Sequence, residues 1–508
     1  MNIASKFDVD VLVAGGGVAG VSAALTAARS GLRTLLVENQ MSLGGLATNG
    51  YVTGVAGMIE GNCQEWLDRM EAEGSLIRRP HLPAIDPEKA KFVLENMLLE
   101  AGARILYGTH VIGTSVIDAR ITKAICHTKS GHMEVAARMF IDATGDADLA
   151  ASAGVPYEEG SPEFAGLNMS TTLAFRLANV NMKRYGEANA AWMKEQGAGG
   201  RIWKKMGLIA ELEEKAVTAG DLPFFIFPTA LMYQVPGTTF EDADVCVMTT
   251  HSFYTRNTDV EDLTRQVIEQ HRQIEYMEKF LIKYVPGFEK CRLTGLANLH
   301  GVRDSRRIIG EYILKDADVA CGQKFDDGVA KFPEFFDTHH PTSPRIGFMR
   351  HIHLDEPRDP AVCRPAQCSG DMHPFHKPGG YEARVNPLEY CEIPYRSLVP
   401  IGIDNLLVVG RCISAEFNAV AAVRVIAPSM STGQAAAVAT SLCFKKGITP
   451  RELDGKLVRK TMIEQGVPLD EPPSGHWADV KKDLKGEFIV VPGDFAAVMT
   501  QDGLKTHM

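Results

Sequence analysis

A strand–glycine–helix–strand pattern near the amino terminus restricts the fold of this 508-residue chain more than any other feature. In DVDVLVAGGGVAGVSAALTAARSGLRTLLVEN, an apolar run at residues 9–14 precedes Gly15, Gly17 and Gly20. Gly15 permits a tight turn, Gly17 lets the backbone approach a pyrophosphate, and Gly20 lets the helix lie close to the sheet. A second apolar strand ends on Glu38, whose carboxylate can bind ribose hydroxyls. The pattern predicts an α/β domain with a parallel sheet that binds an adenine dinucleotide.

The loop after Glu38 favours FAD over NAD. Its sequence NQMSLGGLATNG contains Gly44-Gly45 and Thr48. We expect a flexible loop of this kind where a longer dinucleotide continues past its pyrophosphate towards a flavin. An NAD dehydrogenase has no general need for such a loop.

A second glycine turn follows much later, in FIDATGDADL at residues 140–149. Here a strand that contains Asp142 ends on Gly145, and Asp146 and Asp148 begin a helix whose dipole they complement. The carboxyl ends of parallel strands meet at one edge of a sheet, where cofactors bind. We therefore expect this turn to form another wall of the dinucleotide site.

A third glycine turn ends the strand NLLVVGRCIS at Gly410-Arg411. The segment RVIAPSMSTGQAAAVATSL then carries Gly433 into an alanine-rich helix. We expect Gly433 to clear space there, and the amino terminus of this helix to face the negative charge of a reduced flavin. The alternative is a close-packed core helix of small residues.

Together these segments resemble the FAD-dependent oxidoreductase family, whose members share the glutathione-reductase-type FAD fold of the FAD/NAD(P)-binding superfamily. The resemblance rests on VAGGGVAG, GGLAT, IDATGDADLAASAG, RDSRRIIGEYIL, IPYRSLVP, NLLVVGRCIS and RVIAPSMSTGQAAA, and covers somewhat under half of the chain. It implies FAD contacts from Gly15, Gly17, Gly20, Glu38, Gly45, Asp142, Gly145, Gly410 and Gly433. To these predicted cofactor-binding residues we add Thr48, Asp146 and Arg411 from the same segments.

The resemblance also places Arg424 and the arginines of RDSRRIIG on the substrate side of the flavin. Many relatives carry a histidine just after the GRCIS segment, whereas this chain has Phe417 and Asn418 there. The role of that histidine therefore cannot be transferred to this chain.

We predict a discontinuous, Rossmann-like FAD-binding domain with a parallel sheet at residues 1–165 and 388–448. An inserted α+β substrate or cap domain spans 166–387, and a C-terminal helix and tail span 449–508. Within the cap, an Asp259 N-cap and a stop at Pro286-Gly287 predict a long amphipathic helix.

Candidate catalytic residues come from four segments. In LHGVRDSRRIIGEY, a helical start would set Arg303 and Arg307 on one face, which suits a carboxylate or oxyanion; a structural ion-pair face is the alternative. The segment FFDTHHP is similar to an Asp-x-His pattern in the family, which favours His339 over His340 for acid–base chemistry. We expect Arg303 and Arg424 to anchor substrate and Tyr395 to be a second proton donor.

Residues 332–377 form a histidine-rich and proline-rich stretch. Within it, Cys363, Cys368, His373 and His376 approach the spacing of zinc ligands. The cysteine spacing and the lack of an acidic relay count against a metal site, and a substrate lid is the alternative. We predict no metal.

Charge and hydropathy exclude other classes. A net charge of −10 argues against a nucleic-acid partner, including the alternative of a flavoprotein that modifies RNA. The sequence contains no signal peptide and no apolar run of about 18 residues that could span a membrane. Its scattered cysteines suit reduced, buried thiols. We expect a soluble, cytoplasmic protein.

These features predict an FAD-dependent dehydrogenase or reductase that transfers a hydride between a small, anionic or polar substrate and flavin N5. No dithiol follows the first glycine loop and no second GxGxxG unit occurs, so the electron donor or acceptor stays open. An alternative is a non-catalytic or electron-carrier subunit of a larger redox complex. GEFIVV in the tail favours an added edge strand or a contact between copies in a homo-oligomer.

Overall fold

The computed structural model describes residues 3–78, 83–195, 207–223, 231–320, 322–333, 337–342 and 390–471. The helices in this part of the chain are α1 (Val18–Arg29), α2 (Asn62–Ala72), α3 (Pro87–Glu100), α4 (Asp148–Ser152), α5 (Met182–Glu195), α6 (Gly207–Thr218), α7 (Val260–Tyr284), α8 (Asp316–Ala320), α9 (Phe417–Val423), α10 (Ile426–Lys446) and α11 (Gly455–Glu464). The strands are β1 (Ile3–Ala14), β2 (Thr34–Val37), β3 (Leu76–Ile77), β4 (Ala84–Ile85), β5 (Arg104–Leu106), β6 (His110–Ile117), β7 (Arg120–Thr128), β8 (Gly131–Asp142), β9 (Tyr157–Glu159), β10 (Phe175–Val180), β11 (Leu231–Gln234), β12 (Ala243–Met248), β13 (Arg292–Leu296), β14 (Arg306–Ile308), β15 (Gly328–Pro333), β16 (Tyr390–Pro394) and β17 (Leu406–Val408).

The main sheet has seven strands in the order β5-β2-β1-β8-β7-β6, with β17 also paired to β8. Strands β5, β2, β1, β8 and β17 run parallel, while β6 and β7 form an antiparallel meander. The register aligns Ala14 with Asp142 and Asp142 with Val408. The strands before all three glycine turns therefore end side by side, as predicted.

The sheet is covered on both faces. Successive side chains of β1 point to opposite faces and belong to two different hydrophobic cores. Val11 and Val13 belong to a core built with α1, α2, α3 and α10. Leu12 and Ala14 point to the opposite face and pack with residues of β7, α4 and β17. This arrangement is the predicted α/β class with a Rossmann-like parallel sheet.

The cap contains an antiparallel sheet in the order β11-β12-β10-β13, covered by helices that include α7. Helix α7 begins after Asp259, whose carboxylate accepts a hydrogen bond from the Asp262 amide, and it ends at Tyr284 as predicted. Ile274, Met277 and Phe280 of α7 pack into a separate hydrophobic core. The cap is thus an α+β unit with its own core.

One stretch of the predicted insertion packs elsewhere. Leu314, Val329 and Phe332 lie in the core of the main domain, and β15 pairs with β16 on the far side of the insertion. The chain therefore returns to the main domain before residue 333. The domain limits given above stay a prediction.

Among the helices of the described ranges, none is both long enough and apolar enough to cross a membrane.

Candidate functional site

The first glycine loop is built as the sequence pattern predicts. Gly15 has a φ of +97°, and a Cβ there would overlap the carbonyl oxygen of Ala143. A Cβ at Gly20 would overlap the carbonyl oxygen of Gly15, so only glycine lets α1 approach this closely. At Gly17, by contrast, a Cβ would meet no atom within 4 Å. Gly17 therefore borders open space at the amino terminus of α1, where backbone amides favour an anion.

Glu38 follows β2 beside this loop. Its carboxylate accepts hydrogen bonds from the amides of Gly16 and Gln40. Burial raises the pKa of Glu38, and these amide hydrogen bonds oppose that rise. These hydrogen bonds link the Glu38 carboxylate to the glycine loop, and its predicted contact with the ribose stays a prediction.

The Gly44-Gly45 loop lies directly against the first glycine loop. The Gly44 amide donates to Gly16 O at 2.8 Å, and a Cβ at Gly45 would lie 3.0 Å from the Cα of Gly17. Thr48 is buried and its hydroxyl donates to Leu43 O. The hydroxyl of Thr48 thus holds the shape of the loop, and its predicted contact with the cofactor stays a prediction.

In the second turn, Asp142 organises the backbone. Its carboxylate accepts from the Thr144 amide at 3.0 Å, the Thr144 hydroxyl at 2.7 Å and the Ala150 amide at 2.8 Å. Burial raises the pKa of Asp142 to about 6. Gly145 has a φ of +83°, and a Cβ there would lie 2.9 Å from Arg411 Nη2.

The second and third turns are joined by an ion pair. Arg411 Nη2 lies 2.6 Å from Asp146 Oδ1, and Arg411 Nη1 donates to Val302 O at 2.6 Å. Gly410 has a φ of +76° and its Cβ would approach Ala19 of α1. The structure therefore brings the predicted residues of all three turns together.

Gly433 lies elsewhere than the sequence suggested. Helix α10 begins at Ile426, so Gly433 sits two turns inside the helix and not at its amino terminus. A Cβ at Gly433 would overlap the carbonyl oxygen of Ala19. The helix starts earlier than the sequence suggested, and Gly433 permits close packing of α10 on α1, which is the alternative given above. The predicted contact of Gly433 with FAD stays a prediction.

Two arginines and one carboxylate form the polar centre between the domains. Arg424 Nη2 lies 2.9 Å from Asp337 Oδ2. Arg303 donates to Ser170 O and, at 2.8 Å, to Thr172 Oγ1. Burial and the positive charge of Arg424 lower the pKa of Arg303 to about 9. The neighbouring His339 and the two arginines hold the pKa of Asp337 below its usual range, although burial alone would raise it.

His339 joins this centre, as predicted, and a second histidine joins it from the cap. His339 Nε2 lies 3.4 Å from Asp337 Oδ1, and His339 Nδ1 lies 3.4 Å from His251 Nε2. The two rings stack with centroids 5.4 Å apart. Burial and the positive charge of Arg303 lower the pKa of His339 to about 3; burial also places the pKa of His251 well below its usual value.

Helix α7 positions two of the histidines through buried glutamines. The His251 amide donates a hydrogen bond to Gln273 Oε1 at 2.8 Å, and Gln273 Nε2 donates one to His251 O at 2.7 Å. His300 Nε2 lies 3.0 Å from Gln270 Oε1 and so donates to it. The Nδ1 atom of His300 is buried without a hydrogen-bond partner.

Sequence reasoning did not select His251, Asp337 or these glutamines. Gln266, Gln270 and Gln273 recur every three or four residues on the buried face of α7. Polar side chains on the buried face of an amphipathic helix are the signal that could have identified them.

Tyr395 does not join the site. Its side chain is buried in the main core, and its hydroxyl donates to Pro450 O at 2.9 Å. The expectation of a second proton donor is therefore wrong, because the hydroxyl is engaged by the segment that leads to α11.

The arginines of RDSRRIIG do not share a helical face. Arg306 begins strand β14 and donates to Asp148 Oδ1 at 2.9 Å. Arg307 is buried and donates to Ala415 O and Gly160 O. The helical start is wrong because β14 pairs with β9 and extends the backbone, so only Arg303 of this segment reaches the histidines.

The cysteines and histidines at 363, 368, 373 and 376 lie outside the described residues, as does GEFIVV. Within the described ranges, no group of three or more His, Cys, Asp and Glu side chains is arranged to hold a metal ion.

A parallel sheet with three glycine turns at one edge, an acid after β2 and a polar cap define a dinucleotide-binding redox protein. The chain belongs to the FAD dependent oxidoreductase family, whose family model matches residues 10–462. It is accordingly an FAD-dependent enzyme, and the observed glycine loop suits the pyrophosphate of that cofactor because Gly17 borders open space.

The solved structures that match this chain have low sequence identity to it. A geranylgeranyl bacteriochlorophyll reductase-like protein from Thermoplasma acidophilum is 13% identical, with coverage of 99% of this chain and 97% of that chain and a TM-score of 0.44. The myxobacterial chondrochloren halogenase CndH is 12% identical, with coverage of 90% and 78% and a TM-score of 0.40. THI4 from Thermovibrio ammonificans is 21% identical, with coverage of 30% and 66% and a TM-score of 0.24. No curated protein matches the sequence. None of these similarities bears on the substrate.

Proposed function

We propose that this enzyme oxidises or reduces a small organic molecule that carries a negative charge, by hydride transfer between a substrate carbon and the flavin. FAD, when bound, supplies the hydride acceptor or donor at its N5 atom. The chain's own residues bind the substrate, orient it and handle its proton.

The three glycine turns are the proposed cofactor cradle. Gly15, Gly17 and Gly20 would hold the pyrophosphate at the amino terminus of α1, and Glu38 would hold the ribose. Supporting this assignment, the Gly17 position has room for a ligand where Gly15 and Gly20 have none.

The observation that carries the proposal is the charge of the polar centre. The guanidinium groups of Arg303 and Arg424 lie near the carboxylate of Asp337, which pairs with Arg424. The buried carboxylate of Asp304 also acts on both arginines, but it is paired with Arg307 at 3.7 Å, so the centre keeps an excess of one positive charge. Arg424 Nε is buried and has no hydrogen-bond partner among the residues that the structure describes. An anionic substrate group would supply both the missing charge and an acceptor for this nitrogen.

The proton that accompanies hydride transfer is assigned to His339. At neutral pH this ring is neutral, because burial and Arg303 lower its pKa to about 3. A neutral imidazole can accept a proton from a substrate hydroxyl. An anion near Arg303 and Arg424 would offset their positive charge and strengthen His339 as a base.

The experiment that tests the proposal begins with the visible spectrum of the holoenzyme. Its flavin is then mixed anaerobically with hydroxy acids, polyols and enoates, the enoates being offered to the reduced form. We expect a hydroxy acid to bleach the flavin or an enoate to reoxidise it, whereas uncharged polyols leave it unchanged.

Two variants locate the anion site. Arg303→Met should raise the half-saturating concentration of the active anion at least 10-fold, and Arg303→Lys should retain part of the binding. Arg265→Met removes an exposed arginine on α7 that pairs with Asp262 and serves as the control. Bleaching by polyols alone, or equal losses in the Arg303 and Arg265 variants, would refute an anionic substrate. A flavin that only a partner protein reduces would point to an electron-carrier subunit.

A further inference from the structure

His251, His339 and Asp337 form a chain of three polar contacts from the cap to the substrate arginines. His251 Nδ1 lies 3.1 Å from Thr249 O. His251 Nε2 lies 3.4 Å from His339 Nδ1, and His339 Nε2 lies 3.4 Å from Asp337 Oδ1. Both ends of the chain are oxygen atoms that can only accept, because the pKa of Asp337 is lowered by His339 and the arginines and its carboxylate is ionised.

This chain requires one more proton than two neutral histidines carry. A carbonyl or carboxylate oxygen needs an N–H opposite it, and two ring nitrogens in contact need one proton between them. The three contacts therefore require three protons, while each neutral imidazole has one. In every neutral arrangement of the rings, at least one contact brings two lone pairs together.

We propose that His251 and His339 act as a single proton acceptor, in which the proton taken from the substrate satisfies the third contact and is shared between the two rings. This inference rests on the proposed function, which it deepens by adding His251 as a residue that acts through His339. His339 is the catalytic residue of the pair and His251 is its positioning residue.

The chemical step balances. The O–H bond of a substrate hydroxyl breaks, and an N–H bond forms on His339 as the adjacent C–H bond gives up its hydride to the enzyme's cofactor. The substrate thus loses one proton and one hydride and becomes a carbonyl compound. In the reductive direction, the same N–H proton returns to the substrate oxygen.

The surroundings hold His251 in the position that sharing requires. Its backbone is bound on both sides by Gln273. Its ring stacks on Phe253 as well as on His339, with centroids 6.0 Å and 5.4 Å apart. A ring clamped in this way keeps Nε2 directed at His339, so the contact with His339 does not depend on a mobile side chain.

Three charged groups act on the pair from the elements packed around it. Arg303, from the segment before β14, and Arg424, from the end of α9, oppose protonation of His339, and Asp337 favours it. Neutralising one arginine therefore strengthens the base. A substrate anion would do so in the enzyme, and Arg303→Met does so without any ligand.

The first experiment observes the rings directly. Holoenzyme labelled with ¹⁵N-histidine is titrated from pH 5 to 9, and the ring nitrogen shifts report tautomer and charge. His251→Phe keeps a stacked ring but removes both nitrogens, and His251→Asn is a smaller second variant; each identifies the signals of His251. His271→Phe replaces an exposed histidine of α7 and is the control.

In the Arg303→Met background, we expect the shifts of both rings to move together in one transition that corresponds to one proton. Adding His251→Phe to this background should move the transition of His339 at least one pH unit lower, a 10-fold loss of proton affinity. His271→Phe should leave the transition in place. Separate transitions for the two rings, or an unchanged transition in the double variant, would overturn the shared acceptor.

The second experiment uses acetate as an anion probe and acetamide as its uncharged control. Oxidised holoenzyme in weak buffer with a pH indicator should take up as much as one proton per site when acetate binds, and none with acetamide. His251→Phe should reduce the uptake, whereas His271→Phe should not. Acetate that binds without proton uptake in the unmodified enzyme counts against the inference.

The two proposals fail in different ways. If no anion binds and no anionic compound bleaches the flavin, the proposed substrate class is wrong, while the joint titration in Arg303→Met still decides the proton acceptor. If an anionic substrate reacts but its pH–rate profile is the same in His251→Phe, the proposed function survives and the role of His251 is refuted. With the inference correct, we expect His251→Phe to slow the reaction 10-fold to 100-fold, to displace its pH profile and to change KM little.

Discussion

Gly17 is the residue at which the first glycine loop leaves room for a ligand. A Cβ there meets no protein atom within 4 Å, and the backbone already has a negative φ of −63°. We therefore expect Gly17→Ala to fold normally but to place its methyl group where the pyrophosphate approaches. FAD affinity, measured by flavin fluorescence during reconstitution of the apoprotein, should fall at least 10-fold.

Gly113→Ala is the matched control for this prediction. A Cβ at Gly113 in β6 also meets nothing within 4 Å, but the residue lies away from the glycine turns. It should bind FAD with unchanged affinity. Equal affinities in the two variants would show that the pyrophosphate does not pass over Gly17.

Asp337 competes with a substrate anion for Arg424. Asp337→Asn removes the carboxylate that pairs with Arg424, so we expect acetate to bind several-fold more tightly, as measured by flavin difference spectra. Asp244→Asn is a matched control, since Asp244 pairs with Arg176 at 2.7 Å in a similarly half-buried ion pair of the cap sheet. Weaker acetate binding in Asp337→Asn would mean that the carboxylate positions Arg424 for the anion.

At the scale of the secondary-structure elements, the backbones of helices α1 and α10 pack directly against each other at Gly433. Gly433 of α10 lies on the carbonyl oxygen of Ala19 in α1, so Gly433→Ala must separate the helices. Alanine favours a helix over glycine by about 1 kcal/mol, whereas overpacking costs about 1–3 kcal/mol. Because the neighbouring atom belongs to the backbone and cannot move aside, we expect overpacking to outweigh helix propensity and urea unfolding to show a net loss of stability. An increase in stability would indicate that α10 can shift without strain.

A buried ion pair links β15 to the segment before α2. Lys331 Nζ lies 2.6 Å from Glu60 Oε1 and donates to Pro468 O at 2.6 Å, and both side chains are almost fully buried. Lys331→Met leaves the Glu60 carboxylate buried without its partner, so we expect a loss of about 3–5 kcal/mol in unfolding free energy. The double variant Lys331→Met with Glu60→Gln should recover much of it, since the unpaired charge is gone. No recovery would assign the loss to the carbonyl contacts of Lys331.

The elements that could be predicted from the sequence are those that depend on neighbouring residues or on a periodic apolar pattern. The glycine turns at Gly15, Gly145 and Gly410 follow apolar strands, and the rule that parallel strands share a carboxyl edge was sufficient to bring them together. The start of α10 was predicted too late because the small residues near Gly433 resemble the beginning of a helix. These residues are small because α10 packs closely against α1 at this point. A strand at Arg306 was missed because its partner, β9, lies far away in the sequence.

The candidate site was predicted only in part for the same reason. Arg303, Arg424 and His339 were identified from a family pattern and from residue type. His251 comes from the cap, and nothing in TTHSF indicates that its ring stacks on His339. Tyr395 has suitable chemistry, but its direction is set by packing against Gly455 and by Pro450, which no local pattern reveals.

At the scale of the whole molecule, the polar centre is where the two domains meet. The main domain contributes Arg424, and the cap contributes His251 on a loop that α7 holds through Gln273. The proton-handling and anion-binding groups therefore depend on how the cap sits on the main sheet. A change in the protonation of this centre should for that reason affect the stability of the folded chain.

The last prediction concerns this link between pH and stability. Burial lowers the pKa of His300 to about 4, that of His339 to about 3, and that of His251 well below its usual value. As pH falls below the ordinary histidine pKa of about 6.5, the unfolded chain binds a proton on each of these residues more readily than the folded chain, so each contributes a loss of stability whose slope approaches about 1.4 kcal/mol per pH unit near pH 5. Asp142 acts in the opposite direction, because burial raises its pKa to about 6 and the folded chain then binds the proton more readily.

A comparison of variants isolates the histidine contribution, since Asp142 is common to all of them. We expect urea unfolding of His251→Phe to depend less on pH than that of the unmodified protein between pH 6.5 and 5, by an amount that approaches about 1.4 kcal/mol per pH unit near pH 5. His271→Phe, which lacks an exposed histidine, should match the unmodified protein. An equal pH dependence of the unfolding free energy in all three proteins would contradict this prediction. It would mean that His251 binds a proton as readily in the folded chain as in the unfolded chain, as a ring exposed to water would.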